Sequence, residues 1–377
     1  MKRFKIALCL ILTAATPPVS AHWDAPALAD LRTALAAAPA EALPVLDAGG
    51  LDAAIEGGDP AAIDRAASAL ALRLARMELL GAAPAAQRAG WKIADSDAAL
   101  DLYAMLAEAV AQNRVAALLA SLNPQHGDYA ALRAAYAAET DPARRRVLAR
   151  NMERWRWMPR ELGGDYLLVN AASFEVRLWR RGAQAGAWRV IVGKPATPTP
   201  AFAATVTGVT LNPWWDVPAN IVRESVGALV HNHPATARAR GYVWSGGHIR
   251  QKPGPGNSLG FMKLAMANPY NVYLHDTPNR ALFQQDSRAF SHGCVRVGDA
   301  LDLATTLFDG TRSRAEIDAL VAKGQSVTLD LPRSLPVYIT YFTAGLRGDG
   351  TLGYFTDIYG RDERLALAPS ANEACGV

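Results

Sequence analysis

The sequence predicts an α+β protein in which an alanine-rich helical N-terminal region precedes a mostly β domain that carries a small helical insertion. Residues 22 to about 158 are rich in alanine and contain several helix-start signals. After Pro159, short β-branched or aromatic segments alternate with Gly, Pro and polar turns. The chain has 377 residues, 50% of them hydrophobic, which allows one large domain or two ordinary ones with an ample core.

The first 21 residues predict a secretory signal peptide. Lys2, Arg3 and Lys5 precede an apolar run from Ile6 to Ala15, and small residues then offer a cleavage site after Ala21. That run is too short for a membrane anchor, which needs roughly 20 apolar residues. We therefore expect an exported protein that has no transmembrane segment once the signal is cleaved.

The charge balance argues against a nucleic-acid partner. The full chain carries 39 Lys+Arg against 35 Asp+Glu, and cleavage after Ala21 would remove three basic residues and no acidic one. The single basic cluster, around Arg144 to Arg156, is interpreted as the solvated face of a helix. A nearly neutral protein offers no electrostatic attraction for a polyphosphate backbone, so we expect no nucleic acid to bind.

Four helices are predicted within the helical region, residues 22–158. Asp59-Pro60 is a capping residue followed by proline at the first helical position, and Gly81 marks that helix's end. The other three are predicted at about 97–122, 128–138 and 141–158. Alanine-rich helices with few functional side chains indicate a scaffold.

The β domain is predicted to span 159–345, with a tail over 346–377. Its strands are expected as an antiparallel meander followed by further short segments, at 166–170, 174–179, 188–192, 205–211, near 261 and 271, and at 326–329 and 337–341. The polar stretch at about 213–250 is interpreted as an insertion. A helix predicted at 299–307 follows Cys294 closely, so we expect the cysteine at a strand-to-helix or loop-to-helix junction, where helix amides would stabilise a thiolate.

Cys294 is the strongest candidate for a catalytic residue. Only the thiolate of a cysteine attacks carbonyl carbon, and a base within reach raises the thiolate fraction. His275, at the end of the strand-like run 271–274, is the predicted base, and Asp276 could orient it through its carbonyl or its side chain. His292 is the competing base, or a residue that holds the loop. The amides of Gly293 and Cys294 are candidate oxyanion donors.

Other interpretations of these residues remain open. The cysteine could be a buried structural residue. His275, His292 and Cys294 could ligate zinc, but no Cys-x-x-Cys or His-x-x-x-His pair supports a metal, and we predict none. A disulfide between Cys294 and Cys375 would block the thiol; we disfavour it, since two cysteines form no disulfide framework. Arg296 could pair with a substrate carboxylate or a structural acid.

Several motifs in the sequence resemble those of the YkuD-type L,D-transpeptidases, specifically their YcbB-like branch. The signature Ser-His-Gly-Cys-Val-Arg with an upstream histidine is joined by further matching segments at 151–159, 190–195, 211–218, 250–257, 273–278 and 357–362. Together these segments cover about residues 150–365, which makes chance agreement at so many separated points very improbable.

The resemblance implies a periplasmic enzyme that acts on peptidoglycan. The Cys294 thiolate would attack the third residue of a tetrapeptide stem, expel the terminal D-alanine and pass the acyl group to the amine of another stem. His275 matches the family's base, and His292, Gly293 and Arg296 match its motif. Substrate contacts are expected from Tyr273, Arg296, Ser291 and Trp214; the tryptophan could also be a core residue. The family needs no cofactor, carbapenems would acylate Cys294, and 213–250 would cap the substrate.

Two consequences of the resemblance concern partners and alternatives. The peptidoglycan-binding module that larger members carry between scaffold and catalytic domain has no counterpart here, since the scaffold-like stretch ending at Leu132 passes almost directly into Asn151. The helical region could instead bind other cell-wall enzymes. The same nucleophile would also serve an L,D-carboxypeptidase or a transferase that anchors a lipoprotein through a lysine. A non-catalytic cell-wall scaffold is the alternative of a different class.

Overall fold

A computed structural model describes residues 22–88 and 90–367 of the chain. The predicted signal peptide, 1–21, and Cys375 lie outside the described residues. No helix of the described part is long and apolar enough to cross a membrane.

The fold is the predicted α+β arrangement, with helices first and strands after. The helices are α1 (Ala25–Ala37), α2 (Gly49–Gly57), α3 (Pro60–Leu80), α4 (Leu102–Ala111), α5 (Val115–Ser121), α6 (Gly127–Ala138), α7 (Pro142–Trp155), α8 (Ala219–Ile221), α9 (Gly227–Asn232), α10 (Pro234–Ala239), α11 (Ala300–Leu307) and α12 (Arg314–Ala322). The strands are β1 (Trp91–Lys92), β2 (Tyr166–Asn170), β3 (Glu175–Arg180), β4 (Ala183–Gly193), β5 (Ala201–Leu211), β6 (Trp215–Asp216), β7 (Tyr242–Ser245), β8 (His248–Gln251), β9 (Met262–Ala265), β10 (Leu274–His275), β11 (Ala289–Ser291), β12 (Val295–Val297), β13 (Val327–Thr340), β14 (Ala344–Leu346) and β15 (Leu352–Tyr354).

Helices α1–α5 form a first hydrophobic core from alanine and leucine side chains. The predicted helix at 60–80 is confirmed: the Asp59 side chain accepts from the Ala61 amide, and Gly81 closes the helix with φ 84°. Buried residues of α1 and α3, such as Leu31 and Leu74, are fully excluded from solvent. Small alanines let these helices approach closely, and leucines fill the space between them.

The single helix expected at 97–122 is wrong. A 3-10 turn at Ser96–Ala99 is followed by α4, and α4 is separated from α5 at Asn113, whose φ is 51°. Asparagine tolerates this left-handed conformation better than most residues, and no helix can pass through it. The break turns α5 back towards α1.

Eight strands close into a barrel. The order is β5-β13-β2-β3-β4-β12-β10-β9, and pairing of β9 with β5 completes the ring. Of the four strands predicted as an antiparallel meander, β2, β3 and β4 pair in that way, but β5 pairs with β13 and β9 and not with β4. Strand β13 pairs parallel with β2, and β10 pairs parallel with β12. Inward residues and α11 share one core, which holds Leu274, Val295 and Leu303 without exposure. Within the described residues, closure leaves the barrel itself without an unpaired edge strand, and one face of each of its strands points outward.

The insertion between β5 and β9 forms a small capping unit. It contains α8–α10, a π-helical stretch at Val222–Val226, and a three-stranded sheet in the order β6-β8-β7. A cluster of its own, centred on Val217, Val226 and Ile249, holds it together. The next loop, 252–260, is fixed by the buried amide of Asn257, which donates to the Pro213, Gln251 and Lys252 carbonyls at 3.1, 3.3 and 2.9 Å.

Helices α6 and α7 pack against the outer face of the barrel. Leu132, Met152 and Trp155 share a buried cluster with Leu168 of β2 and Phe342, which follows β13. Arg154 of α7 pairs with Asp362 at 2.6 Å, and both side chains are nearly fully buried. The C-terminal segment around Asp362 therefore contacts helix α7, which packs against the outer face of the barrel. The division at 158/159 and 345/346 remains a prediction.

Candidate active site

The candidate site lies on the outer face of three adjacent strands, β12, β10 and β9. His275 is paired in register with Arg296 on one side and with Lys263 on the other. The flanking residues Leu274 and Val295 point into the barrel core, so the alternation of side chains turns this row of three outward. The parallel β10–β12 pairing thus brings together side chains that are distant in sequence.

Cys294 lies one residue before β12, in the turn between β11 and β12. The Val295 amide donates to the Tyr273 carbonyl at 2.9 Å, which places the cysteine level with Tyr273, one step along the strands from His275. The Cys294 Sγ lies 3.7 Å from the Asn271 carbonyl. The junction with a helix is wrong, because β12 intervenes and α11 begins only at Ala300. No helix N-terminus therefore stabilises this thiolate.

His275 is buried and held as a neutral imidazole. Its Nδ1 lies 2.5 Å from the Asp276 carbonyl, and a carbonyl only accepts, so Nδ1 carries the proton and Nε2 is the basic nitrogen. Burial, followed by the nearby positive charges of Arg296 and Lys263, lowers the pKa of His275 to about 3. The ring is therefore unprotonated at neutral pH, although its low pKa makes it a weak base.

The backbone carbonyl of Asp276 positions His275, and the Asp276 side chain holds the 259–261 loop. The carboxylate accepts from the Phe261 amide at 2.8 Å and pairs with Arg280 at 2.6 Å. Its Oδ2 would be only 2.3 Å from a Cβ at Gly260, whose φ is 62°. Between the two roles left open for Asp276, the geometry assigns tautomer control to the carbonyl. The side chain fixes the 259–261 loop.

The thiol of Cys294 is protonated at rest. Burial raises its pKa, and the Tyr273 backbone together with the Arg296 and Lys263 charges opposes that rise. When both the thiol and the imidazole are neutral, the thiol proton must pass to the imidazole as the sulfur attacks the substrate. General-base catalysis by His275 therefore suits this site better than a preformed thiolate.

The turn before the cysteine is braced by Ser291. Its hydroxyl donates to the Cys294 carbonyl at 2.5 Å and accepts from the Gly293 amide at 3.0 Å, and the side chain is buried. The Ser291 hydroxyl is therefore engaged within the turn, and its expected contact with substrate stays a prediction. The Gly293 amide is likewise engaged with Ser291, whereas no described residue accepts from the Cys294 amide. The φ of 115° at Gly293 requires glycine there.

His292 points away from the thiol and joins the barrel to the cap. Its Nε2 lies 2.8 Å from Glu224 Oε2 in the π-helical stretch, and Lys194 lies 3.3 Å from the other carboxylate oxygen. Hydrogen bonds from Lys194 and then His292 lower the pKa of Glu224. Of the two interpretations of His292, the structure therefore favours the one in which it holds a loop rather than acts as base.

The remaining predicted site residues lie around the same face. Tyr273 receives the Lys263 ammonium 4.5 Å from its ring centroid, and the Arg250 guanidinium lies 4.8 Å from the ring centroid of Trp214, at the start of the cap. The sequence prediction missed Lys263 and Glu224. Alternation in Met262–Ala265 would have placed Lys263 on an outer face, but no local signal identifies its neighbours.

Acyl transfer is the chemistry that this arrangement supports. A thiol, an oriented neutral imidazole and a backbone amide without an acceptor lie on one face, partly covered by the cap. Within the described residues, no group of three His, Cys, Asp or Glu side chains is placed to hold a metal ion.

Comparison with known proteins finds two matching family models. The model of the YkuD L,D-transpeptidase catalytic domain matches residues 164–321, and that of the scaffold domain matches residues 20–135. A curated protein of Haemophilus influenzae, provisionally assigned as an L,D-transpeptidase, is 29% identical over 243 residues, which cover 59% of this chain and 49% of that protein. The chain thus spans about half the length of this relative.

Solved structures of the same kind are more distant. The L,D-transpeptidase of Mycobacterium smegmatis is 12% identical with a TM-score of 0.28, over 47% of this chain and 58% of that one. L,D-transpeptidase 3 of Mycobacterium tuberculosis is 15% identical with a TM-score of 0.26, over 47% and 61%. Because these scores are low, no argument rests on them. The fold and site are those of a candidate cysteine acyltransferase, in which residues 164–321 are similar to the L,D-transpeptidase catalytic domain and residues 20–135 to a scaffold domain.

Proposed function

We propose that this protein is an L,D-transpeptidase that cross-links peptidoglycan through a thioester on Cys294. The donor is a tetrapeptide stem, the leaving group is its terminal D-alanine, and the product joins the third-position diamino acids of two stems. The observation that carries the proposal is the pairing of a buried, neutral His275, oriented by the Asp276 carbonyl, with the Cys294 thiol on the same outward face of β10 and β12.

The reaction proceeds in two acyl transfers. Nε2 of His275 takes the Cys294 proton as sulfur attacks the carbonyl carbon of the third residue. The tetrahedral oxyanion accepts a hydrogen bond from the Cys294 amide, and collapse breaks the C–N bond while the imidazolium returns its proton to the departing D-alanine amine. The acceptor amine then attacks the thioester, loses a proton to His275 and regenerates the thiol.

The low basicity of His275 is compatible with both halves of this cycle. An imidazole whose charged form is disfavoured returns its proton readily, so the leaving amine is protonated as the C–N bond breaks. The opposing cost is a weaker base for the initial proton transfer. The site therefore requires close alignment of His275 with the thiol, which the Asp276 carbonyl supplies.

Intact mass spectrometry with a carbapenem tests the nucleophile. The wild-type protein should gain one covalent adduct, and Cys294→Ala should gain none. Ser287→Ala, a change at an exposed residue outside the site, is the matched control and should be acylated like the wild type. An unmodified wild-type protein under reducing conditions would sink the proposed mechanism.

Purified muropeptides test the acceptor. Incubation with a disaccharide tetrapeptide should release D-alanine and yield a dimer whose mass equals two donors minus one D-alanine. Release of D-alanine with water incorporation and no dimer would instead identify an L,D-carboxypeptidase. A stem acceptor is favoured by the cap, which covers the site and limits access by water.

Export and partners complete the proposal. The signal-like residues 1–21 favour delivery to the periplasm, where stem peptides are found, and the scaffold domain would dock other cell-wall enzymes. Fractionation of cells that express the full chain tests the first point: cytoplasmic protein that retains residues 1–21 would contradict it.

A further inference from the structure

Two cations flank the candidate catalytic histidine and, among the described residues, neither contacts a carboxylate directly, although the charge of Asp216 attracts Lys263 from a greater distance. Lys263 and Arg296 occupy the same row as His275, one on each side, and each side chain is only partly exposed. Within the described residues, neither cation forms an ion pair or a side-chain hydrogen bond with a carboxylate. Burial lowers the pKa of Lys263 and of Arg296, which marks both as desolvated cations.

The acidic groups around this row already have other cations as partners. Asp216 pairs with Arg250 at 2.6 Å and with His248 at 3.2 Å. Asp276 pairs with Arg280 at 2.6 Å. The third, the cap's glutamate at 224, is bound to Lys194 and His292. With His275 neutral and these carboxylates engaged, the face beside Cys294 is left with an excess of positive charge that an anion would offset.

The position of the lysine ammonium indicates where that anion binds. Its Nζ lies 4.5 Å from the centroid of the Tyr273 ring, so the side chain leans from the His275 row towards the level of Cys294. The aromatic face holds the ammonium electrostatically and leaves its N–H groups free to donate. In a tetrapeptide donor, the terminal carboxylate lies one residue beyond the carbonyl that sulfur attacks, a separation of roughly 3.6 Å per residue at most.

Resting on the function proposed above, we propose that Lys263, together with Arg296, binds the free terminal carboxylate of the D-amino acid that Cys294 expels. The subsite therefore selects donors that end in a free acid at the residue after the scissile bond. Lys263 donates to that carboxylate from one side of the His275 row, and Arg296 donates to it from the other. Donors whose terminal carboxylate is blocked lose this interaction.

A comparison of two donors on two proteins tests the subsite. The tetrapeptide donor with a free terminal carboxylate and the same donor with a terminal carboxamide are assayed for release of D-alanine or D-alaninamide. Wild-type protein should prefer the acid by about 10- to 100-fold in kcat/KM, the range expected for a charge-assisted hydrogen bond. Lys263→Met should lose most of that preference by slowing on the acid alone, and Lys263→Arg should restore part of it.

Controls separate this inference from structural and catalytic explanations. Lys323→Met, at an exposed lysine beyond α12, should keep the wild-type preference. A Lys263→Met variant that slows equally on both donors would assign the lysine to activation of Cys294 or to folding, and the inference would be overturned. Equal wild-type rates on acid and amide would also overturn it, yet leave the transpeptidase proposal intact. Absence of wild-type turnover on both donors would instead count against the proposed function itself.

Discussion

Replacement of Gly260 by alanine should disable the site through Asp276, without touching any residue that meets substrate. The φ of Gly260 is 62°, a left-handed conformation that costs an L-residue roughly 1–2 kcal/mol. Its new Cβ would lie 2.3 Å from Asp276 Oδ2 and 2.4 Å from Cγ. Because real Cβ atoms essentially never approach below 3.0 Å, either the loop or the aspartate must shift.

The size of the effect follows from what the shift breaks. Displacing the Asp276 carboxylate loses the Phe261 amide hydrogen bond, worth about 1.5–3 kcal/mol for a charged acceptor. Together with the backbone strain at Gly260, the total destabilisation should be about 2.5–5 kcal/mol. The Asp276 carbonyl that orients His275 moves with the carboxylate. A misplacement of about 1 Å in a catalytic group costs on the order of 100-fold in rate.

Carbapenem acylation followed by intact mass, with urea unfolding on the same samples, measures both effects. We expect Gly260→Ala to be acylated about 100-fold more slowly while still folded at low urea. Gly256→Ala is the matched control in the same loop, since nothing lies within 4 Å of its Cβ and its φ is not positive. If Gly260→Ala were acylated within about twofold of the wild-type rate, positioning of His275 through Asp276 would be refuted.

Three further predictions concern pH, a buried acid and the cap. Because the pKa of His275 is lowered to about 3, the acylation rate should not fall through imidazole protonation between pH 7 and 5. A histidine with an ordinary pKa would lower the rate roughly 30-fold over that range. A fall in rate centred near pH 6.5 would contradict this prediction. Burial raises the pKa of Glu78 to about 8 in the folded state, against 4.5 in the unfolded state. Between these two values the folded state keeps the carboxyl proton that the unfolded state has lost. The free energy of unfolding therefore falls as pH rises from about 4.5 to 8. Glu78→Gln should remove this pH dependence of the free energy of unfolding, measured with urea, and should stabilise the fold by at most about 3 kcal/mol at pH 7. An unchanged pH dependence would argue against a protonated Glu78. Glu224→Gln should weaken the contacts of the cap with Lys194 and His292 and raise the rate of amide hydrogen–deuterium exchange in the cap. An unchanged exchange rate would contradict a stabilising role for these contacts.

Local signals in the sequence predicted some elements well and misjudged others. The Asp59 cap and Gly81 stop define α3 because each acts through its own backbone neighbours. The sequence predicts two separate strands at 326–329 and 337–341, yet one strand, β13, spans Val327–Thr340. An irregularity in its pairing with β5 between Asp330 and Leu335 accommodates Pro332. Its neighbours β5 and β2, both distant in sequence, pair along it and support that continuity, which no local pattern expresses.

The sequence by itself predicted the resemblance to the L,D-transpeptidases, the candidate nucleophile and the candidate base, because these are residue types in a short motif. It also determined most helices and strands, since caps, turns and alternation act over a few residues. Only the tertiary structure decided that the carbonyl of Asp276, and not its side chain, orients His275. It also showed that Ser291 stabilises its own turn and that His292 contacts Glu224 of the cap. Lys263 joined the site for the same reason: barrel closure sets the register between strands, and register is a property of chain segments that are distant in sequence.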